Sequence, residues 1–228
     1  FDQYAQNYNA VLNRGLSLSG ETVDYFAQKR VEYTCNYVQS LGIDVRSVVE
    51  FGCGIGNNLF YLRRYFPNSH ILGLDISDES IKRANERFAD DQNTRIQNLL
   101  EFQATNYADL VFVNGVFHHI PTDDHVKNLE LIRLMLKKNA LLALFENNYF
   151  NPATRWIMSR VDFDKDAVLI NPYRLLDQVC QLHFSNARVK FYFIFPKMFG
   201  YLRFVEPYCE RIPFGAQYGV FAQKLGTA

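Results

Sequence analysis

A chain of 228 residues is long enough for one α/β domain with a full hydrophobic core and a modest covering extension, and would be cramped for two independent domains. Hydrophobic residues at 48% against charged residues at 21% exclude a disordered or fibrous protein. Equal numbers of basic and acidic side chains, 24 each, leave no net field to draw the chain toward nucleic acid or an anionic membrane. Cys35, Cys53, Cys180 and Cys209 lack the close pairs of a zinc site or a disulfide framework, which predicts free thiols in a reducing cytoplasm. No apolar run approaches the length of a membrane span and no secretory leader is expected, although the chain opens on Phe1 and leaves room for sequence upstream.

Thr22 to Leu41 carries Phe26, Ala27, Val31, Cys35 and Val38 at helical spacing, with Gly42 where a C-cap belongs, and predicts an amphipathic helix. Ser47 to Phe51 is a β-rich run that ends abruptly in Gly52-Cys53-Gly54-Ile55-Gly56, a strand feeding a glycine turn. The Asn57-Asn58 pair is expected to cap a helix through Leu59, Leu62 and Phe66, stopped by Pro67. His70 to Asp75 reads as a second strand, after which Ser77 caps a helix with Ile81, Ala84 and Phe88 on one face. A third strand has only Arg95-Ile96-Gln97 to carry it. Leu110 to Val113 and Leu141 to Phe145 are continuous apolar runs, the mark of strands buried on both faces of a parallel sheet. Between them Thr122 opens a predicted helix carrying Val126, Leu129, Ile132 and Leu136. Farther on, the pattern predicts a helix from Pro172 to His183, a strand from Val189 to Phe195, an inserted helix within Lys197 to Arg211, and a last strand from Gln217 to Gln223.

A strand that ends in Gly-x-Gly-x-Gly and enters a helix sets bare backbone and a partly positive helix terminus against a ligand. The dinucleotide fingerprint needs its third glycine where this chain has Asn57, which counts against a nicotinamide cofactor. Asp75 ends the next strand at the separation expected of a carboxylate that holds a ribose diol, so an adenosine ligand is implied.

Four stretches, in order, resemble class I S-adenosylmethionine-dependent methyltransferases: Glu50 to Asn57, Gly73 to Ser77, Asp109 to Pro121 (DLVFVNGVFHHIP), and the opening Phe1 to Tyr8. The resemblance covers about the first two-thirds of the chain. It implies a doubly wound α/β fold with a mostly parallel seven-stranded sheet and an antiparallel last strand, in a single domain over 1–228. Within it, 1–42 would form a helical cap, 43–146 the cofactor core and 147–228 the acceptor side. S-adenosylmethionine would be the cofactor and S-adenosylhomocysteine the product. Gly52, Gly54 and Gly56 would pass beneath the methionine part, Glu50 would reach its amino group, Asp75 the ribose and Ile76 the adenine, with Asn114 also binding the cofactor and Tyr4 and Tyr8 closing over it. The chain departs from the family after its third strand, where the usual acid is missing and Gln97 or Asn98 must substitute, and before the fifth, where Lys138-Asn139-Ala140 replaces a Pro-Gly-Gly turn.

Methyl transfer from a sulfonium needs alignment of the acceptor and, for a hydroxyl, removal of its proton. His118 and His119 follow the fourth strand at the ligand-binding edge, where either could act as base or cap and pack instead; Glu146 could orient a histidine or touch the acceptor. A metal held by His118, His119, Asp123, Asp124 and His125 is not adopted, because loop spacing fixes no ligand geometry. The aromatic run from Phe191 to Tyr208 is expected mainly to bury its apolar side, any surplus face suiting a lipid-like acceptor or a membrane surface. The Asn147 to Arg160 segment resembles bacterial methyltransferases of glycan and lipid pathways. The expected function is methyl transfer to an oxygen of a small-molecule, glycan or lipid-like acceptor, with a catalytically silent S-adenosylmethionine-binding scaffold as the alternative.

Overall fold

The computed structural model describes residues 19–159 and 167–226. Helix α1 (Val23–Ser40) begins where the Thr22 hydroxyl accepts the Tyr25 amide at 3.2 Å, and the chain turns away at Gly42 with φ +66°. Then come β1 (Ser47–Phe51), α2 (Asn57–Tyr65), β2 (His70–Asp75), α3 (Asp78–Arg87), β3 (Thr94–Asn98), β4 (Ala108–Asn114), α4 (His125–Met135) and β5 (Leu136–Asn147). After these follow α5 (Pro152–Met158), α6 (Pro172–Gln181), β6 (Phe184–Tyr192), α7 (Glu206–Cys209) and β7 (Gln217–Lys224).

The strands form one seven-stranded sheet in the order β3-β2-β1-β4-β5-β7-β6, parallel from β3 to β5, with β7 antiparallel to both its neighbours. Successive side chains of a strand point to opposite faces, so the apolar runs feed two cores. Val49, Phe51, Val111, Val113, Leu142 and Leu144 pack against Leu129 and Ile132 of α4 and Leu175 and Val179 of α6. On the other face Val48, Leu110, Phe112, Leu141 and Phe145 meet Phe26 and Val31 of α1 and Leu59 and Leu62 of α2. This is the class I methyltransferase fold expected from the sequence. Among the described residues no helix is long and apolar enough to cross a membrane.

Several local expectations are corrected. Gly56, left-handed at φ +82°, occupies the N-cap of α2, so Asn57 and Asn58 are its first helical residues and cap nothing. Thr122 to Asp124 form a 3-10 turn, and α4 begins at His125, whose Nε2 lies 3.0 Å from the carbonyls of both Phe117 and Ile120. That contact draws His125 inward and leaves Val126 exposed, while Leu136 adopts an extended backbone and starts β5. Lys138-Asn139-Ala140 lies within β5, with Asn139 left-handed at φ +62°.

Strand β6 runs earlier than expected. It starts after left-handed His183, bulges between Ser185 and Arg188, and stops where Phe193 turns left-handed at φ +63°. Its outer edge is closed near the far end, where the Phe191 amide donates to the Glu210 carbonyl at 2.7 Å and Lys190 pairs with the Glu210 carboxylate at 2.6 Å. The aromatic run divides: Phe191, Tyr192 and Phe193 are buried, whereas the 3-10 segment Lys197–Val205 buries none of its residues.

Candidate active site

The carboxyl ends of β1, β2 and β4 meet where the strand order departs from β1 in both directions, the crevice at which doubly wound sheets bind ligands. The glycine loop is pinned there by the amides of Gly52 and Cys53, which both donate to the Leu74 carbonyl at 2.8 and 2.9 Å. Its glycines differ in purpose. A Cβ on Gly52 would lie 2.3 Å from Val116 Cγ2, and one on Gly56 would lie 2.8 Å from Phe88 Cε2, so both permit close packing. A Cβ on Gly54, at φ +52°, would meet nothing within 4 Å: that glycine faces open space.

Asp75 binds the loop to the next turn. Its Oδ2 accepts the Gly54 amide at 2.7 Å and its Oδ1 the Ser77 amide at 2.9 Å, and each oxygen keeps acceptor capacity for a diol. Next to it Ile76 is 63% exposed, an apolar side chain offered to a planar ligand. Gln97 and Asn98 end β3 alongside; the Asn98 Oδ1 accepts the Leu100 amide at 3.0 Å and its Nδ2 donates to Asp78 at 3.1 Å. Asn114 is the last residue of β4. Tyr4 and Tyr8 lie outside the described residues.

Glu50 is fully buried beneath the loop. Its Oε1 accepts from Asn58 Nδ2 at 2.7 Å, while Oε2 is buried with no hydrogen-bond partner. Burial pushes the Glu50 carboxyl up to about 8, opposed by the Asn58 hydrogen bond and the Arg30 charge and reinforced by Asp75. Sequence reasoning missed this support. Arg30, on the buried side of α1, donates from one guanidinium nitrogen to Asn58 Oδ1 at 3.3 Å and from the other to Gln217 Oε1 at 3.0 Å. Gln217 in turn donates to Asn147 Oδ1 at 3.2 Å. The available signal was a charged residue on the apolar stripe of a helix, between Ala27 and Thr34.

At the end of β4 the chain bends through a 3-10 turn, Phe117–His119. Glu146 of β5 reaches under it: Oε1 accepts the amides of Val116 and Phe117 at 3.0 and 2.7 Å, and Oε2 lies 2.5 Å from His118 Nδ1. Both His118 and Glu146 are buried, and the His118 and His119 rings are 4.0 Å apart. Among the described residues no three His, Cys, Asp or Glu side chains are grouped to hold a metal ion.

A family model described as "Methyltransferase domain" matches residues 49–142, the span from β1 into β5 that carries this crevice. Over that span the chain resembles the methyltransferase domain that its motifs predict. It is 26% identical over 175 residues to a trans-aconitate 2-methyltransferase of Rhodopseudomonas palustris, covering 74% of this chain and 59% of the relative. It is 28% identical over 113 residues to a malonyl-[acyl-carrier protein] O-methyltransferase of Ilyobacter polytropus, covering 48% and 44%. The chain thus spans about half the length of these curated relatives. Among solved structures, the plantazolicin methyltransferase BpumL in complex with SAH superposes with a TM-score of 0.67 at 15% identity, over 97% of this chain and 94% of that one.

S-adenosylmethionine is the cofactor of class I methyltransferases, and the residues present fit it. The orphaned Glu50 oxygen suits an ammonium, the space over Gly54 admits a ligand against bare backbone, and exposed Ile76 suits an adenine face.

Proposed function

We propose that this chain transfers a methyl group to an oxygen of a small organic acceptor, with His118 as the base when that oxygen is a hydroxyl. The observation that carries the reading is the His118–Glu146 pair at the end of β4. A carboxylate that accepts at Nδ1 requires a proton there, which in the neutral ring puts the basic lone pair on Nε2. S-adenosylmethionine supplies, when bound, a methyl group on a sulfonium that is already an activated leaving group. Glu50 would then hold the ammonium of the cofactor and Asp75 its ribose, Gly54 would let it approach the backbone, and Gln97 or Asn98 would flank the adenine. Glu146 is a positioning residue, because its oxygens are taken up by Val116, Phe117 and His118.

The names of the relatives support an oxygen acceptor, one of them an O-methyltransferase and the other acting on trans-aconitate, a polycarboxylate. The exposed side chains of Met198, Tyr201, Phe204 and Tyr208 support the lipid-like end of the acceptor range, and a peripheral membrane contact through that segment. The test is to incubate the protein with S-adenosylmethionine and panels of carboxylic acids, phenols and lipid extracts, and to read S-adenosylhomocysteine and methylated product by mass spectrometry. Turnover with a methyl ester or ether as product is the expected result. Tight cofactor binding with no turnover across the panels would instead favour a silent binding protein.

A further inference from the structure

The buried polar chain from Glu50 through Asn58, Arg30 and Gln217 to Asn147 crosses from the glycine loop of the cofactor half to the carboxyl end of β5. A guanidinium in an apolar helix face is costly unless it is paired and hydrogen-bonded, and this one is held between two side-chain amides with Glu50 beyond them. No part of the proposed methyl transfer requires an arginine on α1.

We propose that Arg30, acting through Asn58, is a positioning residue for the ammonium end of the cofactor: it fixes one Glu50 oxygen so that the other stays open, and it makes cofactor binding release a proton. The inference rests on the reading that Glu50 meets that ammonium. Asn58 occupies Oε1 with its amide hydrogens only because Arg30 holds the Asn58 oxygen and so sets which way the amide points. The open Oε2 is thereby the one atom left for an incoming donor.

The charged and titratable groups around Glu50 are Arg30 from α1, Asp75 from β2 and Cys53 from the loop, whose thiol is itself pushed up by burial, by Glu50 and by Asp75. With its carboxyl raised to about 8, Glu50 holds a proton at neutral pH before the ligand arrives. An ammonium beside Oε2 favours the carboxylate, and the proton leaves to solvent. Arg30 limits the cost of that ionisation by lying on the far side of Asn58.

The test is calorimetry of S-adenosylhomocysteine binding, which carries the same amino group, in buffers of different ionisation enthalpy from pH 6 to 9. Wild type is expected to release close to one proton at pH 7 and progressively fewer above pH 8. Arg30→Met should weaken binding about tenfold at pH 7, the scale of one charge-assisted hydrogen bond, and move the affinity profile to higher pH. Arg30→Lys should restore part of both. If Arg30→Met does not fold by circular dichroism, Asn58→Leu carries the same expectation. Glu50→Gln separates the two layers: unchanged affinity there would overturn the ammonium reading. A loss there combined with wild-type affinity and proton release in the Arg30 and Asn58 variants would overturn the role proposed for Arg30.

Discussion

His118 Nδ1 lies 2.5 Å from Glu146 Oε2, while Glu146 Oε1 accepts the two backbone amides just ahead of the histidine. One carboxylate therefore fixes both the bend of the chain after β4 and the tautomer of the imidazole on it. With a hydroxyl acceptor, His118→Ala should lower kcat by about 10²-fold or more and leave S-adenosylhomocysteine affinity nearly constant. His119→Ala should cost less, because it is the His118 ring whose tautomer Glu146 fixes. Turnover from pH 6 to 9 checks this: wild-type rates and an unchanged profile in His118→Ala would mean that it is not the base, as expected if the acceptor is a carboxylate already ionised.

Glu146→Ala removes the acceptor of the Val116 and Phe117 amides and of His118 together. Leaving such buried donors unmatched should destabilise the fold by about 3 kcal/mol. Glu146→Gln keeps one oxygen and should lower turnover more than stability. Urea unfolding beside kcat separates the two substitutions, and equal stability of the alanine variant and wild type would contradict the assignment.

Asp75→Ala should weaken S-adenosylhomocysteine binding by about 2 kcal/mol, from lost charged hydrogen bonds and from release of the Gly54 amide that Asp75 now holds. Calorimetry reads the change directly. Unchanged affinity in a folded variant would place the ribose elsewhere.

Two glycines of one loop should fail in different ways. Gly52→Ala puts a Cβ into Val116 and should lower the melting temperature sharply, with or without ligand. Gly54→Val faces open space and should cost about 1–2 kcal/mol of stability for its left-handed backbone, yet abolish cofactor binding. A Gly54→Val protein that binds normally would show that no ligand approaches this point.

The stability of the ligand-free protein should carry the mark of Glu50. Its carboxyl is raised from 4.5 to about 8, so the folded state keeps a proton that the unfolded chain releases between those values. This contribution is full at the acid end, declines as pH rises through the window and levels off above about 8. Glu50→Gln should flatten that decline and raise the melting temperature at pH 8 to 9. An identical pH dependence in both proteins would show that Glu50 is not buried in its acid form.

The parallel half of the fold was legible because Val48 to Phe51, Leu110 to Val113 and Leu141 to Phe145 must satisfy two cores at once, which leaves few polar positions to confuse the pattern. Strand β6 was misplaced because Ser185, Asn186 and Arg188 sit on a bulged edge strand, where neither alternation nor apolarity is enforced. In the crevice, the glycine loop and Asp75 announce themselves through local order along the chain. The Arg30 link does not, since it joins α1 to α2 and β7 by contacts far apart in sequence, and Asn58 was read as a cap because asparagine before an apolar run usually is one. That Glu146 could orient a histidine is legible in the sequence, whereas the choice of His118 for that contact depends on the register between β4 and β5, which neither segment encodes alone.

The outer edge of β6 is interrupted at both ends, by the Ser185–Arg188 bulge and by the Glu210 carbonyl on the Phe191 amide. An unbroken edge would be a template for another chain to add a strand, and the neighbouring exposed aromatics would strengthen such a contact. With the ladder spoiled at its start and already occupied near its finish, only a short stretch of backbone remains to be copied. Phe204 and Tyr208 are thus displayed to water beside an edge that offers little backbone for strand addition.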